Sequence, residues 1–129
     1  ENVSTNEVAD IVSKFPGIEL ANVFGVEVPN ADGRAGMASI TVQGWLDYEA
    51  LAQHLLNNLP PYAVPIFIRE NKEADTTGTF KFRKVDAVKQ GFDPARIGDP
   101  LWVLDAKLGV YKPLTSELHS EIVSGVFRL

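Results

Sequence analysis

The chain has 129 residues, 45% of them hydrophobic, and a formal net charge of −5, values typical of one globular domain. The absence of cysteine excludes disulfides, thiolate metal sites and a cysteine nucleophile, and two histidines are too few for a dedicated zinc site. The acidic balance disfavours nucleic acid as a partner, and no apolar run is long enough to predict a transmembrane segment.

The amino terminus carries neither the basic nor the apolar region of a signal peptide, and the only methionine is Met37. Because an open reading frame normally starts with methionine, we expect the chain to be processed or cut from a longer protein. A site shared with the remaining part would then be only half visible here.

The first predicted element is a helix over residues 4–15. Ser4 and Glu7 have the spacing of a capping box, in which the serine hydroxyl accepts a hydrogen bond from the backbone N–H three residues later. Pro16 and Gly17 predict the end of this helix. Its apolar stripe consists of Val8, Ile11, Val12 and Phe15.

Two strands and a second helix are predicted next. Residues 21–28 and 35–42 are rich in strand-forming residues and are separated by a turn-forming segment, which predicts an antiparallel hairpin. Asp47 is the predicted N-cap of a helix that ends at Pro60. The core stripe of that helix is Leu51, Leu55, Leu56 and Leu59.

The second half of the chain begins with a predicted short strand over residues 65–69, with proline at its first position. The polar residues 71–79 predict an exposed loop, and residues 84–90 predict a short helix closed by Gly91. The last predicted elements are a hairpin of strands 101–104 and 110–114 and a helix capped by Thr115 or Ser116 that carries Leu118, Ile122 and Val126.

This order of elements predicts an α+β fold. We expect a small, mainly antiparallel three-stranded sheet flanked by helices, followed by a C-terminal hairpin and helix that form an extension.

One segment reverses the overall acidity of the chain. Between residues 78 and 89, four basic residues accompany one acidic residue, so this segment carries +3 and the rest of the chain −8 of the total −5. Such a run of basic residues more often forms a solvated helix face, and the alternative is a binding site for a phosphate or a carboxylate. The basic residues are Lys81, Arg83, Lys84 and Lys89.

The two histidines are interpreted as structural. His54 falls on the polar side of the second helix and His119 near the start of the last one, and neither has an acidic or serine partner fixed by spacing. Glu7 is explained by its capping role, so we propose no catalytic pair of carboxylates.

Four motifs follow one another along the chain, at residues 1–8 (ENVSTNEV), 21–26 with 33–38 (ANVFGV and GRAGMA), 59–65 (LPPYAVP) and 76–81 (TTGTFK). Further motifs occur near the end, at residues 91–94, 99–101, 111–115 and 128–129. In this order and spacing they resemble the C-terminal lid domain of adenylate-forming enzymes, the superfamily of acyl-CoA synthetases and luciferases. The resemblance is to the very-long-chain acyl-CoA synthetase branch, also called the fatty acid transport protein family.

The resemblance implies a ligase that uses ATP to activate a fatty acid as an acyl-adenylate and then transfers the acyl group to CoA. It implies ATP, Mg²⁺ and CoA for the full-length enzyme, none of them bound by this chain alone, and an N-terminal adenylation domain as partner. Residues 1–92 would be the lid domain and residues 93–129 a family-specific extension packed on it. The implied location is cytoplasmic or peripheral to a membrane, and the isolated chain is expected to be inactive.

By the same resemblance, Lys81 is the implied catalytic residue, because a lysine that reaches both the carboxylate and the α-phosphate would stabilise the charge that develops between them. Most members of the superfamily place this lysine directly after the glycine, whereas Thr79 and Phe80 intervene here, so Lys84 is the alternative. The implied phosphate loop is Thr76, Thr77, Gly78 and Thr79, and the implied secondary anion contacts are Arg83 and Lys84.

Two other functions stay open at this point. One is an acyl-AMP ligase that passes its adenylate to a carrier protein, and the other is a non-catalytic interaction module. A CoA requirement for product formation would separate the first from a CoA ligase, and a gene that starts at Glu1 would favour the second.

Overall fold

The computed structural model describes residues 4–29, 34–71 and 84–129. Within them, the chain forms five strands and four α-helices, and none of these helices is both long and apolar enough to cross a membrane. The helices are α1 (Thr5–Ser13), α2 (Tyr48–Asn58), α3 (Lys84–Gln90) and α4 (Ser116–Ser124), with a 3₁₀ turn at Pro61–Ala63. The strands are β1 (Ile18–Glu27), β2 (Arg34–Val42), β3 (Phe67–Glu70), β4 (Leu101–Asp105) and β5 (Val110–Pro113).

The strands form one sheet in the order β1-β2-β3-β4-β5. The β2 and β3 strands are parallel, and the other three neighbouring pairs are antiparallel. One row of the sheet shows the register, since Met37 of β2 lies opposite Phe24 of β1 and Phe67 of β3. The predicted α+β class is confirmed in this five-stranded mixed form.

The predicted three-stranded sheet with a separate hairpin was wrong, because β4 and β5 continue the same sheet. Without β4, the backbone groups of β3 would form an unpaired edge between two apolar faces, which is costly. The β4 strand removes that edge by pairing antiparallel with β3, with Phe67 opposite Val103 and Arg69 opposite Leu101.

Helices cover both faces of the sheet. On one face, α1 and α2 bury residues such as Val12 and Leu51 against Ile68. On the other face, α3, α4 and the segment after α3 pack around Phe67 and Phe92. Because side chains alternate along a strand, consecutive residues of β3 enter different cores. This alternation decides where the polar residues at the end of β3 point.

The predicted helix caps are confirmed. Ser4 Oγ accepts a hydrogen bond from the N–H of Glu7 at 3.1 Å, and Asp47 Oδ1 accepts one from the N–H of Ala50 at 3.0 Å. Thr115, rather than Ser116, caps α4, since its Oγ1 accepts from Leu118 N at 3.1 Å.

Two predicted helix ends lie further along the chain than the observed ones. The α1 helix ends at Ser13 rather than at residue 15, because the residue before Pro16 is disfavoured in helical geometry. The α4 helix ends at Ser124, because Gly125 takes a left-handed conformation with φ of 86°. Val126, predicted to lie on the buried stripe of this helix, is therefore outside it and 74% exposed.

Two strands also differ from their predicted ranges. The β1 strand starts at Ile18, three residues before the predicted start at 21, and its pairing with β2 is irregular between Ile18 and Leu20. The β3 strand is Phe67–Glu70 instead of residues 65–69. Pro65 has no N–H to donate, and its carbonyl accepts a 2.7 Å hydrogen bond from the Tyr111 hydroxyl outside the ladder.

Candidate functional site

Most of the predicted site residues lie outside the described residues. The implied catalytic residue Lys81 is one of them. Lys84 is the exception, because it is the first residue of α3, and its side chain is exposed. The others outside the described ranges are Thr76, Thr77, Gly78, Thr79 and Arg83. The structure therefore describes the two flanks of this segment, the end of β3 and the helix α3.

The upstream flank is anchored by backbone hydrogen bonds. The N–H of Glu70 donates to the carbonyl of Pro100 at 2.9 Å, and the N–H of Asn71 donates to the carbonyl of Ile40 at 2.8 Å. The backbone is thus held on both sides up to residue 71, where this described range ends.

Arg69 occupies the face of β3 that α3 covers. Its side chain is only 11% exposed, and its Nε lies 2.9 Å from Oδ2 of Asp99, whose side chain is 7% exposed. Its Nη1 also donates a hydrogen bond to Oε1 of Gln90, the last residue of α3. The charge of a nearly buried guanidinium is thereby compensated, and β3, α3 and the segment before β4 are joined at one side chain.

Glu70 points to the opposite face, toward α2. Its Oε1 accepts a 2.7 Å hydrogen bond from the hydroxyl of Tyr48, whose ring stacks on Trp102 with centroids 3.8 Å apart. Burial, together with the hydrogen bond to the Glu70 carboxylate, raises the pKa of Tyr48 well above its ordinary value. The hydroxyl therefore stays protonated and acts as a donor at neutral pH.

The downstream flank is a short helix with a thin contact to the core. Ala87 is the buried residue of α3, whereas Val85 is 65% exposed. Directly after the helix, Gly91 has a φ of 64° and turns the chain so that Phe92 stacks on Phe67, with ring centroids 4.5 Å apart. Ala87 and the partly buried Val88, together with Phe92 and the Arg69 contact, hold α3 on the sheet.

A surface pocket of about 560 Å³ lies beside α3. Its polar lining mixes both signs of charge, and Lys84 is not part of it. His119 lines this pocket, and its ring centroid lies 5.0 Å from that of Phe92. This contact agrees with a packing role for the histidine. The charged and histidine residues of the lining are Glu27, Lys89, Asp93, Arg96 and His119.

His54 joins two helices. Its Nε2 lies 3.1 Å from the backbone carbonyl of Ile11 in α1, and its ring lies 5.3 Å from that of Phe15. Since a carbonyl oxygen only accepts, Nε2 carries the proton and donates. These contacts support the structural interpretation of His54.

The polar residues that hold the flanks were missed from the sequence. The sequence pattern predicts Arg69 only as the last residue of an apolar strand and Gln90 only as the last residue of a helix, and it assigns Glu70 to no element. One signal could have found Arg69: it is two residues from Phe67, so both share a face of the strand, and a charge on a buried face requires a partner.

The chain is similar along its whole length to curated long-chain fatty acid transport proteins, whereas no protein-family model matches it. It is 43% identical over an alignment of 131 residues to long-chain fatty acid transport protein 6 of Mus musculus. It is 44% identical over an alignment of 131 residues to long-chain fatty acid transport protein 3 of Homo sapiens. It is 45% identical over an alignment of 130 residues to long-chain fatty acid transport protein 1 of Homo sapiens. These matches cover 100% of this chain and 21%, 19% and 20% of the respective relatives.

A solved structure gives the same picture of the fold. A fatty acyl CoA synthetase from Mycobacterium tuberculosis superposes on this chain with a TM-score of 0.56 at 20% sequence identity. The superposition covers 70% of this chain and 18% of that one, and at this identity it shows a common fold. By its sequence, the chain belongs to the family of long-chain fatty acid transport proteins, of whose length it spans about one-fifth.

Proposed function

We propose that this chain is the C-terminal lid domain of a fatty-acid or very-long-chain acyl-CoA synthetase. The observation that carries the proposal is the similarity to long-chain fatty acid transport proteins over 100% of this chain but only about a fifth of theirs. The fold shared with a fatty acyl CoA synthetase supports it. An N-terminal adenylation domain would supply the acyl and nucleotide pockets.

The proposed reaction has two steps. The fatty acid carboxylate attacks the α-phosphate of ATP, so that a carboxyl–phosphate bond forms and pyrophosphate leaves. The CoA thiol then attacks the acyl carbonyl, the thioester forms, and AMP leaves. The described residues contain no group of three His, Asp, Glu or Cys that could hold a metal ion, and we assign no step to Mg²⁺ on this chain.

Lys81 is the proposed catalytic residue of the first step. Two anions approach each other when the carboxylate attacks the phosphate, and a nearby ammonium group stabilises the charge that develops between them. Thr76 and Thr77 with Gly78 and Thr79 are the proposed phosphate loop, which supplies hydroxyl and backbone N–H donors. Lys84 and Arg83 are proposed as secondary anion contacts.

The described structure supports this assignment through the flanks of the segment. Arg69 and Glu70 hold the chain upstream, and α3 holds it downstream. The exposed side chain of Lys84 at the start of α3 agrees with a solvated position. We also propose that residues 1–92 form the lid and residues 93–129 its family-specific extension, whose strands β4 and β5 complete the sheet.

The test separates the two half-reactions in the full-length enzyme. Lys81→Ala should slow acyl-adenylate formation by about two to four decades, because one preorganised electrostatic donor is lost. Thioester formation from supplied acyl-AMP should be much less affected, since the phosphate chemistry is already complete. Lys84→Ala should be mild in both assays, because this exposed residue is only a secondary contact, and its comparison with Lys81→Ala tells which of the two lysines acts.

Three outcomes would contradict the proposal. Intact adenylation in Lys81→Ala with loss in Lys84→Ala would move the catalytic role to Lys84. Product formation that does not require CoA would indicate an acyl-AMP ligase. Pyrophosphate exchange above background by the isolated 129-residue chain would show that the substrate pockets lie here and not in an adenylation domain.

A further inference from the structure

The surface pocket beside α3 is built by three parts of the chain that are far apart in sequence. Residues 27–29, at the end of β1, contribute one part of its lining, and residues 88–93, at the end of α3, contribute the second. The third part comes from α4, through His119 and Val123. A volume of about 560 Å³ is within the range of pockets that hold small molecules. The proposed reaction gives this pocket no role.

The apolar part of the lining belongs to the hydrophobic core on this face of the sheet. Val28 and Phe92 are only 8% and 4% exposed, and Val88 and Val123 are partly buried against the same core. Side chains that are fixed in a core keep their positions when a ligand binds, so this apolar surface is preformed. An alkyl group that covers it is removed from water, which favours binding.

A second hollow extends the apolar surface. It has a volume of about 440 Å³, and Val28 and Pro29 line both this hollow and the pocket. Ile122 and Phe127 are among its other lining residues. An alkyl chain that is too long for the pocket can therefore continue past Val28 and Pro29, so the site suits a chain better than a compact group.

Two basic side chains of the pocket are free to bind an anion. Among the described residues, none forms an ion pair or a hydrogen bond with the side chain of Lys89 or Arg96, whereas Arg69 and Lys112 each have a carboxylate partner. An ammonium and a guanidinium group beside an apolar surface can bind carboxylate or phosphate oxygens through charge-assisted hydrogen bonds.

Two carboxylates also line the pocket, and the fold offsets the charge of both. Asp93 Oδ1 accepts a 2.9 Å hydrogen bond from the N–H of Ala95, which directs this carboxylate into its own turn. Glu27 lies directly opposite Arg34 in the register of β1 and β2, where opposite charges attract each other. These interactions reduce the negative charge that a bound anion would meet.

We infer that this pocket binds an amphipathic anion, an alkyl chain that carries a carboxylate or a phosphate head group. Lys89 and Arg96 bind the head group, and the alkyl chain packs on Val28, Val88 and Val123. A fatty acid and a lipid phosphate are the two sources of such a ligand. The inference goes beyond the proposed function and does not require it, because it concerns binding by this chain and not turnover.

Titration of the 129-residue chain with octanoate, octyl phosphate or octanol tests the inference, with NMR amide chemical shifts as the readout. We expect saturable shifts at Gly91 and Val123 and a Kd of about 1 mM or tighter for at least one of the two anions. The tighter of the two identifies the head group. Octanol lacks the charge, and butyrate or butyl phosphate lacks most of the chain, so each should bind about tenfold more weakly or worse.

Arg96→Glu reverses the charge of an exposed side chain in the pocket and should weaken binding of the octyl anions by about tenfold or more. Lys107→Glu makes the same change of charge on an exposed residue outside the pocket and is the matched control. If Arg96→Glu does not fold, Lys89→Glu makes the same test from α3.

Three outcomes would overturn the inference. They are the absence of saturable shifts, equal affinity for octanol and the octyl anions, and equal affinity in Arg96→Glu and Lys107→Glu. Failure of the proposed function has a different signature, since it would be seen in the adenylation assay of the full-length enzyme and would leave these titrations unchanged.

Discussion

The hydroxyl of Tyr48 and the carboxylate of Glu70 are joined by a 2.7 Å hydrogen bond between α2 and the last residue of β3. The ring of Tyr48 stacks on Trp102 of β4, so the bond also connects the helix to the strand added by the C-terminal hairpin. The side chain of Tyr48 thus links α2, β3 and β4 near the carboxyl end of β3.

Removal of the Tyr48 hydroxyl should lower the free energy of unfolding. Tyr48→Phe keeps the stacked ring but withdraws a donor from the partly buried Glu70, which we expect to cost about 1 to 2 kcal/mol. Urea denaturation of the chain measures the difference. Tyr62→Phe is the control, because Tyr62 is 61% exposed, and a loss of equal size in both variants would contradict the importance of the bond.

Gly17 is held where no other residue fits. Its φ is 97°, and an added Cβ would lie 2.7 Å from the backbone oxygen of Trp45. We expect Gly17→Ala to destabilise the fold by about 1 to 3 kcal/mol through backbone strain and this clash. Gly98→Ala, which would meet nothing within 4 Å, should change the melting temperature little. Similar melting temperatures for the two variants would refute the steric explanation.

Asp105 should make stability depend on pH in the acidic range. The hydrogen bond from Lys112 Nζ at 2.9 Å, helped by the backbone N–H groups of Leu108 and Lys107, holds the pKa of Asp105 below its ordinary value of 3.8. Since the folded-state pKa is the lower one, the stabilisation is complete above 3.8 and is lost as the pH falls through the folded-state value.

Melting curves recorded from neutral pH down to about pH 2 check this prediction. Asp105→Asn should reduce the melting temperature at neutral pH and approach the wild-type value in acid, since the wild-type carboxylate is protonated there. Glu19→Gln replaces an exposed carboxylate and is the control. A constant difference between Asp105→Asn and wild type at every pH would show that charge is not the cause.

Loss of the α2 cap should destabilise the domain by about 1 kcal/mol. Asp47→Ala removes the acceptor for the Ala50 N–H, whereas Asp47→Asn keeps an oxygen at the same position. Chemical denaturation should therefore rank wild type and Asp47→Asn together, above Asp47→Ala. If asparagine were as damaging as alanine, the negative charge near the helix terminus would be the main contribution.

The features that were predicted from the sequence are the local ones. Ser4, Asp47 and Thr115 each bond to a backbone N–H three residues away, so the motif and the interaction occupy the same short stretch of chain. The family resemblance was confirmed for a related reason, since motifs in order along the chain need no knowledge of tertiary contacts.

The features that were missed depend on distant partners. Nothing near Arg69 in the sequence identifies Asp99, 30 residues later, as its partner, and periodicity does not reveal that β4 pairs with β3. The implied catalytic residue Lys81 stays a prediction, because it lies outside the described residues and is supported by resemblance alone.

The position of β3 in the sheet also sets an order of events during synthesis. The β1 and β2 strands are neighbours in sequence and can pair as soon as both have left the ribosome, but β3 acquires its second partner only with β4, about thirty residues later. Until then Arg69 has no Asp99 to pair with, and one edge of β3 is open to other chains. The nascent domain therefore presents this unpaired edge from the time residue 70 leaves the ribosome until residue 105 has followed it.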